Sequence, residues 1–485
     1  MRRITKPAWL APPRKRGRFA AWLVFLLATV VVLPEVLRPA GKQHSNDSRS
    51  QPELASGSGP AYLTAQQRCR GPNSTESVPR LEVVESWAAY QPTPPQQVTL
   101  VTQVNLARQR LGKCRLDMLV SQCRSWPLAL VAAAYAPQLG AGQEEAAAQH
   151  NVTSLADARQ QLAELHHQLR QEGKSPDTTS PYGNCNLHLR LYTEVCTLDS
   201  LHQFPANALR NRALQMAETE IAVPAALRHA WEGGKEAAAT AAAASVVASL
   251  SDSQAARQAV LLLDVDFIVS RDFGAELGTP AGWEDVRLHL GVAPAIVVPA
   301  FQAKLGELAW NAKGVVQPER LAWGKQLAFD AVAGGKRWVA DNLQRGAGLA
   351  EFNWGTCARR ATNVSRWLQS KDYYRIEYEK NFEPDVIMLR QHVPWYDERF
   401  RGYGLNKAIE FSAMHSWGVT FLVHPRGFVV HVAHPWSDNQ QHSKSTGKLK
   451  SNFASFESIY ATEVLENRFY PVTAFADSCP LTMGA

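Results

Sequence analysis

The chain alternates between segments rich in β-branched and apolar residues and segments in which apolar residues recur at helical spacing. The first kind predicts strands and the second predicts helices, because the two structures bury side chains with different periods. Strands that alternate with helices along a chain indicate an α/β fold with a parallel sheet. The predicted strands are 97–103, 128–135 and 187–195, and the predicted helices are 104–124, 154–171 and 203–220.

Residues 260–269 (Val-Leu-Leu-Leu-Asp-Val-Asp-Phe-Ile-Val) form the most informative segment. A continuous apolar run predicts a strand that is buried on both faces. Asp264 and Asp266 stand two residues apart, so the alternation of a strand directs both carboxylates to one point. In open α/β sheets ligands bind at the carboxyl ends of strands, and carboxylates there suit Mg²⁺ or Mn²⁺ bound to phosphates. The alternative is a strand that runs into a solvated acidic turn.

A second candidate cluster follows near the C-terminus. Residues 427–434 predict a strand that ends in His431 and His434, and imidazole is a suitable Mn²⁺ ligand. A solvated pair of histidines at the end of a strand is the alternative. A further strand is predicted at 294–301, and the alanine-rich residues 222–257 predict a low-complexity insertion.

Two adjacent carboxylates, Asp397 and Glu398, follow a Pro-Trp-Tyr turn and precede a turn that contains Gly402 and Gly404. Adjacent side chains on an extended chain point to opposite sides, so the two carboxylates cannot share one face. One of them can point into a cleft as a base while the other holds the loop.

The N-terminus carries much of the net charge of +7, with seven basic residues in 1–18. This predicts a cytosolic tail in front of an apolar segment, 19–37, that is close to the length of a bilayer span. Basic residues on the N-terminal side predict a single-pass type II signal anchor with a lumenal domain, and a cleavable signal peptide is the alternative. Residues 38–95, rich in Ser, Gly, Pro and Gln, predict a flexible stem. The rest of the chain is nearly balanced in charge, so nucleic-acid binding is not predicted.

Features that depend on lumenal exposure all lie after the apolar segment. The seven cysteines are an odd number, which leaves at least one free or paired with another chain. Cys114–Cys123 and Cys185–Cys196 are candidate pairs by proximity, but the connectivity stays open. Without a Cys-x-x-Cys motif, no zinc framework is predicted. Candidate N-glycosylation sites are Asn46, Asn73, Asn151 and Asn363.

Taken together, these segments resemble glycosyltransferase family 49, which contains the LARGE-type and β-1,4-glucuronyltransferase proteins. The resemblance covers about residues 96–475, and the stretch from Asp397 to Lys407 is its most specific part. It rests on Val98-Thr99-Leu100-Val101-Thr102-Gln103, Phe204-Pro205-x-Asn207-x-x-Arg210-Asn211, Leu263-Asp264-Val265-Asp266, Phe382-Glu383-Pro384, Tyr396-Asp397-Glu398-Arg399-Phe400-x-Gly402-Tyr403-Gly404-x-Asn406-Lys407 and Val430-His431-x-x-His434.

The resemblance implies a GT-A-type, Rossmann-like α/β domain over residues 96–480 of a type II Golgi membrane protein. It also implies a UDP-sugar donor, Mn²⁺ (or Mg²⁺) and inverting transfer to a glycan or glycoprotein acceptor, with glucuronic acid the favoured sugar. The oligomeric state is not predicted.

Carried over to this chain, the resemblance implies a role for each matched residue. Asp397 or Glu398 would be the base that takes the acceptor proton, with Asp397 ranked first. The remaining roles are metal binding by Asp264, Asp266 and one of His431 and His434, donor binding by Asn207, Arg210, Asn211 and Asp264, and acceptor or loop functions for Arg399, Tyr403, Gly404, Asn406 and Lys407.

Two departures from the family qualify these expectations. The insertion separates the Asn-x-x-Arg-Asn helix from the Asp-x-Asp strand, and the length leaves no room for a second transferase domain, which favours a single transfer. Transfer of another sugar, such as N-acetylglucosamine or xylose, and an inactive glycan-binding or scaffold protein are the alternatives. Cations available for a uronate are Arg210, Arg390, Arg399, Arg401 and Lys407.

Overall fold

The computed structural model describes the region that follows the predicted anchor, with several gaps. The predicted tail, the anchor (19–37) and nearly all of the insertion (222–257) lie outside the described residues. Within the described part, no helix has both the length and the apolar character needed to cross a membrane. The described residues are 69–73, 76, 78–89, 97–172, 186–222, 258–305, 317–353 and 356–475.

A central sheet of nine strands organises the domain in the order β1-β5-β3-β2-β7-β13-β9-β14-β12. The three strands predicted before the insertion are confirmed as β2, β3 and β5. The nine strands are β1 (Glu82–Trp87), β2 (Val98–Asn105), β3 (Ala129–Tyr135), β5 (Asn186–Thr193), β7 (Ala259–Leu262), β9 (Ala295–Val298), β12 (Tyr374–Ile376), β13 (Asp385–Leu389) and β14 (Phe421–Val423). A small separate pair, β4 (Gln138–Leu139) and β6 (Val195–Cys196), is parallel.

The sheet is mixed rather than wholly parallel. Strands β5, β3, β2 and β7 run parallel to one another, as the alternation of strands and helices predicts. Strand β13 then lies antiparallel between β7 and β9, and it was not predicted from the sequence. Its side chains are nearly all buried because both edges and both faces are covered. The arrangement is consistent with a GT-A-type fold.

A second sheet of four strands has the order β11-β10-β15-β8 and stands beside the carboxyl end of β7. Residues 294–301, predicted as one strand, are two strands that belong to different sheets. Pro299 separates them and has no N–H with which to continue a ladder. The four strands are β8 (Phe267–Val269), β10 (Ala300–Ala303), β11 (Leu349–Glu351) and β15 (Val429–His431).

Helices cover both faces of the central sheet. The alternation of side chains along the strands divides the core in two, with Leu100 on one face and Val101 on the other. The predicted helices are confirmed as α1, α3 and α5. The longer helices are α1 (Gln109–Ser125), α2 (Glu144–Gln149), α3 (Leu155–Glu172), α5 (Ala206–Ala222), α6 (Arg271–Leu277), α7 (Pro280–Leu290), α8 (Pro318–Arg345), α10 (Val364–Gln369), α11 (Ala408–Ser416), α12 (Asp438–Ser445) and α13 (Lys448–Ile459), and the short ones are α4 (Leu198–Leu201) and α9 (Cys357–Arg360).

The folded domain begins earlier than the sequence predicts. Residues 82–87, placed in the flexible stem, form β1 and pair antiparallel with β5 at the edge of the sheet. Arg70 forms a backbone bridge with Val472, close to the end of the described chain. Part of the predicted stem is therefore integral to the domain, because its backbone hydrogen bonds are made by the sheet and by the C-terminal segment.

The cysteine pairs suggested by sequence proximity do not form. Cys114 and Cys196 are free, as is Cys357, so neither the Cys114–Cys123 nor the Cys185–Cys196 pairing is correct. Cys69 and Cys123 each belong to a disulfide. Cys114 and Cys123 both lie on α1, where nine residues of helix separate them by roughly 13 Å, which is too far for a disulfide.

Candidate functional site

Asp264 and Asp266 lie in the connection between the two sheets and not within a strand. Strand β7 ends at Leu262 and β8 begins at Phe267, with a turn between them. The expectation that strand alternation aligns the two carboxylates is therefore wrong. The turn directs the two side chains to different partners, so each of them has a separate chemical environment.

The Asp264 carboxylate lies against an amide and two cations. Its Oδ1 accepts hydrogen bonds from Nε2 of Gln103 at 2.6 Å and from the Arg210 guanidinium at 2.9 Å. The Lys407 ammonium is 3.8 Å from Oδ2. Burial opposes ionisation, but Lys407 and Arg210 outweigh it and lower the pKa of the Asp264 carboxyl. Asp264 is therefore ionised and oriented, with its side chain 33% exposed.

The Asp266 carboxylate faces two histidines. Antiparallel pairing of β8 with β15 sets Phe267 opposite His431, which brings the end of β15 next to the Asp-x-Asp turn. Oδ2 of Asp266 is 3.0 Å from Nε2 of His434 and 3.6 Å from Nε2 of His431. The Arg115 guanidinium lies 3.5 Å from the same oxygen. The sequence prediction that these histidines and Asp266 meet is consistent with this geometry.

The donor atoms of this cluster fit a divalent cation. Nδ1 of His434 lies 2.6 Å from the carbonyl of Pro435 and must donate to it, which leaves the lone pair of the neutral ring on Nε2. That nitrogen is 3.2 Å from Nε2 of His431. Oδ1 of Asp266 is buried and has no hydrogen-bond partner among the described residues. A cation would satisfy these atoms, and an imidazole–carboxylate set suits Mn²⁺.

Electrostatics favours the ligating forms of two of these groups. Burial and the neighbouring Arg115 lower the pKa of His434, so its ring is neutral at pH 7. Burial opposes ionisation of Asp266, yet the neighbouring His431 and His434 hold its pKa well below the usual range. Asp264 is not within reach of this set, which consists of Asp266, His431 and His434.

Helix α5 supplies the residues predicted to bind the donor. Arg210 donates to the side-chain oxygens of Asn207 (2.8 Å) and Asn406 (3.0 Å) as well as to Asp264. The Asn207 amide in turn donates to the carbonyls of Asp397 and Asn406. The guanidinium is nearly fully buried, so this network fixes its position beside Asp264. Asn207 therefore acts through Arg210 and the loop rather than from the surface of the site.

Asp397 is fully buried and is held by Arg399. The Arg399 backbone N–H and Nε donate to Oδ1, and its terminal nitrogen donates to Oδ2 at 2.6 Å. The same guanidinium reaches Glu463 at 3.3 Å and Glu76 at 3.5 Å. Both oxygens of the predicted base are thus occupied, and the side chain has no exposed surface.

Glu398 is also buried, and three groups satisfy its carboxylate. Oε1 accepts from the Asn211 amide and the Thr473 hydroxyl, both at 2.9 Å. Oε2 accepts from the backbone N–H of Ala474 at 3.3 Å. Asn211 also binds both backbone groups of Tyr396. The Asp-Glu pair and Asn211 therefore join α5, the 396–399 turn and the C-terminal segment, away from the cleft.

The turn that follows carries a strained backbone. Gly402 and Gly404 have φ values of +84° and +106°, and Leu405, which has a side chain, has a φ of +55°. Tyr403 between them is 38% exposed. The Asn452 amide holds the turn by donating to the Tyr403 carbonyl at 2.9 Å. A side chain held at positive φ costs about 1–3 kcal/mol, and such positions concentrate at functional sites.

Lys407 and Arg359 share one buried acid at the start of β13. Oδ1 of Asp385 accepts from Nζ of Lys407 at 2.9 Å, and Oδ2 accepts from Arg359 at 2.7 Å. Asp385 is fully buried, and both cations are nearly so. Lys407 spans Asp385 and Asp264 and thereby connects β13 to the Asp-x-Asp turn.

Of the cations considered for a uronate, two lie beside Asp264. Arg210 and Lys407 contact it, whereas the others are engaged elsewhere. Arg390 pairs with Glu218, Arg399 with Asp397 and Arg401 with Glu194.

Glu383, directly before β13, belongs to the site although no role was predicted for it. Its charge interacts with Lys407, Arg359 and Arg210 and with Asp264. Among the described residues no side chain hydrogen-bonds to its carboxylate, which is only partly buried. The Phe-Glu-Pro motif was the available signal, but sequence does not reveal which motif acids keep free oxygens.

The candidate glycosylation sites are compatible with modification where the structure describes them. Asn73, Asn151 and Asn363 are all exposed. Asn46 lies outside the described residues. The Asn363 side chain accepts a hydrogen bond from the Arg366 N–H at the start of α10, which leaves its amide nitrogen for a glycan.

Comparison with known proteins finds similarity to sugar transferases. The profile of a family described as "Glycosyl-transferase for dystroglycan" matches residues 251–467, which include the Asp-x-Asp turn and both histidines. The glycosyltransferase-like protein LARGE of Caenorhabditis elegans is 26% identical over 40% of this chain and 28% of its own length. The xylosyl- and glucuronyltransferase LARGE1 of Danio rerio is 30% identical over 35% of this chain and 20% of its own length. The glycosyltransferase-like protein gnt14 of Dictyostelium discoideum is 40% identical over 16% of this chain and 12% of its own length.

The matched part of the chain is similar to the LARGE-type members of glycosyltransferase family 49. It spans less than a third of the length of each of these relatives.

Proposed function

We propose that this protein is a metal-dependent, inverting glycosyltransferase that moves a sugar from a UDP-sugar to a glycan or glycoprotein acceptor. The convergence of Asp266, His431 and His434 beside the cation-bound Asp264 carries the proposal. Glucuronic acid is the favoured sugar, since two cations lie beside Asp264 and a relative is named as a xylosyl- and glucuronyltransferase. We also propose Golgi residence, with residues 19–37 as the anchor and the transferase domain in the lumen.

The two halves of the Asp-x-Asp turn have separate roles in this proposal. Asp266, His431 and His434 would hold Mn²⁺ (or Mg²⁺), which supplies positive charge to a diphosphate leaving group when it is bound. Asp264, fixed by Arg210 and Lys407, would accept hydrogen bonds from donor hydroxyls, and the same cations would attract phosphate or uronate oxygens.

The acceptor would enter past the strained turn at 402–405. Tyr403 offers an exposed aromatic ring there, and its hydroxyl accepts a hydrogen bond from Gln440 at 3.2 Å. Glu383 and Asp266 both raise the pKa of Tyr403, after a larger contribution from burial, so the ring lies near both sides of the site. An aromatic ring suits the apolar face of a pyranose, in keeping with a glycan acceptor.

The test is UDP release by the purified full chain from a panel of UDP-sugars, with Mn²⁺ or with EDTA. We expect Mn²⁺-dependent turnover of one donor, and we expect the Asp264→Asn/Asp266→Asn double variant to lose it. Turnover of UDP-N-acetylglucosamine or UDP-xylose instead of UDP-glucuronic acid would reassign the sugar. Failure of every UDP-sugar to bind in the presence of metal would favour the scaffold alternative.

A further inference from the structure

Four acidic side chains of this region are held by protein groups. Asp385 binds Lys407 and Arg359, Asp397 binds Arg399, and Glu398 binds Asn211, Thr473 and Ala474. Asp264 is held by its amide and two cations. A group that removes a proton during a reaction needs an oxygen that the substrate can reach. Among these carboxylates of the described structure, only Asp264 keeps an open oxygen, and its lowered pKa makes it a poor base.

Glu383 differs from these acids because no described protein group forms a hydrogen bond with its carboxylate. Its side chain is also partly exposed. Its backbone is nevertheless fixed, because its N–H donates to the Ala358 carbonyl at 2.9 Å and Pro384 follows it. The charged and titratable groups around it are Lys407, Arg359, Arg210, Asp264 and Tyr403.

We propose that Glu383 is the catalytic base of the transfer, a role that rests on the proposed function. A Glu383 carboxylate oxygen takes the proton of the acceptor hydroxyl as the acceptor oxygen forms its bond to the anomeric carbon. The bond from that carbon to the phosphate oxygen breaks, and its electron pair leaves with UDP. The new bond forms on the face opposite the leaving group, so the configuration inverts.

The surroundings of Glu383 suit this role. Burial raises its pKa, while Lys407, Arg359 and Arg210 oppose the increase and favour the carboxylate form. Glu383 also lies between the donor side of the site and the exposed turn, since its charge acts on Asp264 and on Tyr403. An acceptor hydroxyl between donor and turn would meet this carboxylate first.

The experiment compares Glu383→Gln, Glu383→Asp and a matched control, Glu351→Gln, in the full chain. Glu351 is also a partly buried glutamate near Arg359 with a raised pKa, but it does not interact with Asp264. We expect Glu383→Gln to bind UDP with Mn²⁺ like the parent and to lose about 10²–10⁴-fold in transfer rate. Glu383→Asp should retain part of the activity, and the control should keep it.

The pH profile separates a base from a structural residue. Activity of the parent should fall as the pH decreases through the raised pKa of the base, and the residual activity of Glu383→Gln should lack this acidic limb. If Glu383→Gln keeps a tenth of the rate, or if the limb vanishes in Glu351→Gln instead, the assignment of Glu383 is wrong. If the parent turns over no donor, the proposed function itself fails and the base with it.

Discussion

Two pairs of acidic residues, Asp264 with Asp266 and Asp397 with Glu398, look alike in the sequence but differ in the structure. The first pair stands in a turn between two sheets, partly exposed, with one buried oxygen that no described group satisfies. The second pair is buried, and each of its oxygens accepts at least one hydrogen bond. The incomplete pair is suited to bind a ligand, whereas the complete pair holds the scaffold together.

The difference follows from what surrounds each carboxylate. Buried charges are tolerated when they are paired and hydrogen-bonded, and removing one partner leaves the other uncompensated. Around Asp397 the partner is an arginine two residues away, so the pair forms within one turn. Around Asp266 the partners are the imidazoles of His431 and His434, whose Nε2 atoms face the same point, which is the arrangement of a metal site.

The largest expected effect is on activity, in Asp266→Asn. This substitution removes the ionised ligand, so we expect Mn²⁺-dependent UDP binding to be lost and transfer to fall by about 10³-fold or more. The free energy of unfolding without metal should change by about 1 kcal/mol or less, because the scaffold does not depend on this oxygen. Isothermal titration with Mn²⁺ and UDP, together with urea denaturation, measures both quantities. Normal metal-dependent binding in the variant would contradict the assignment.

Asp397→Asn should show the opposite behaviour. It breaks a buried pair and leaves the Arg399 guanidinium with Glu463 and Glu76, so we expect a loss of about 2–3 kcal/mol in the free energy of unfolding. UDP binding by the folded protein should persist. A matched control is Glu457→Gln, which breaks the exposed Lys380–Glu457 pair and should cost about 0–1 kcal/mol. Equal stability of Asp397→Asn and the parent, with loss of turnover, would restore Asp397 as the candidate base.

Much of the fold was accessible from sequence because the parallel half of the sheet has the pattern of buried strands between amphipathic helices. Strands β2, β3, β5 and β7 were predicted for this reason. The antiparallel strand β13 was not, since strand direction is set by long-range pairing with β7 and β9 and leaves no local signal. Strand β1 was hidden in a polar segment because it lies on the sheet edge with half its side chains exposed.

The site was predictable where a residue type implies its chemistry. Asp266, His431 and His434 are metal-ligand types at strand ends, and the structure brings them together. The adjacent Asp397 and Glu398 gave an equally strong signal, but burial and hydrogen-bond saturation depend on distant residues such as Asn211 and Thr473. Sequence therefore identified the acids of this region without separating those with free oxygens from those already bound.

A smaller effect is expected for Glu398→Gln, which keeps the shape of the side chain. The amide oxygen can still accept from Asn211 and Thr473, but the amide nitrogen then faces the Ala474 N–H. Two donors opposed in a buried position, and the loss of charge-assisted bonds, should cost about 1–2 kcal/mol. Thermal unfolding of the metal-free protein measures this change. A loss of transfer activity without any loss of stability would show that Glu398 acts in the cleft.

The smallest expected effect tests the same rule on a carboxylate with few partners. Burial raises the pKa of Glu351 to about 7, with Arg359 opposing, and its Oε1 has no hydrogen-bond partner among the described residues. The folded state therefore binds this proton more tightly than the unfolded state, whose pKa is about 4.3. The contribution to stability is largest at low pH and is lost as the pH rises towards 7.

Glu351→Gln should thus gain about 1–2 kcal/mol over the parent between pH 5 and pH 8, after allowance for solvent screening. Urea denaturation at both pH values, with Glu457→Gln as the exposed control, measures the gain. If the stability of variant and parent depended on pH in the same way, the burial of Glu351 without a hydrogen-bond partner would not affect the stability of this protein.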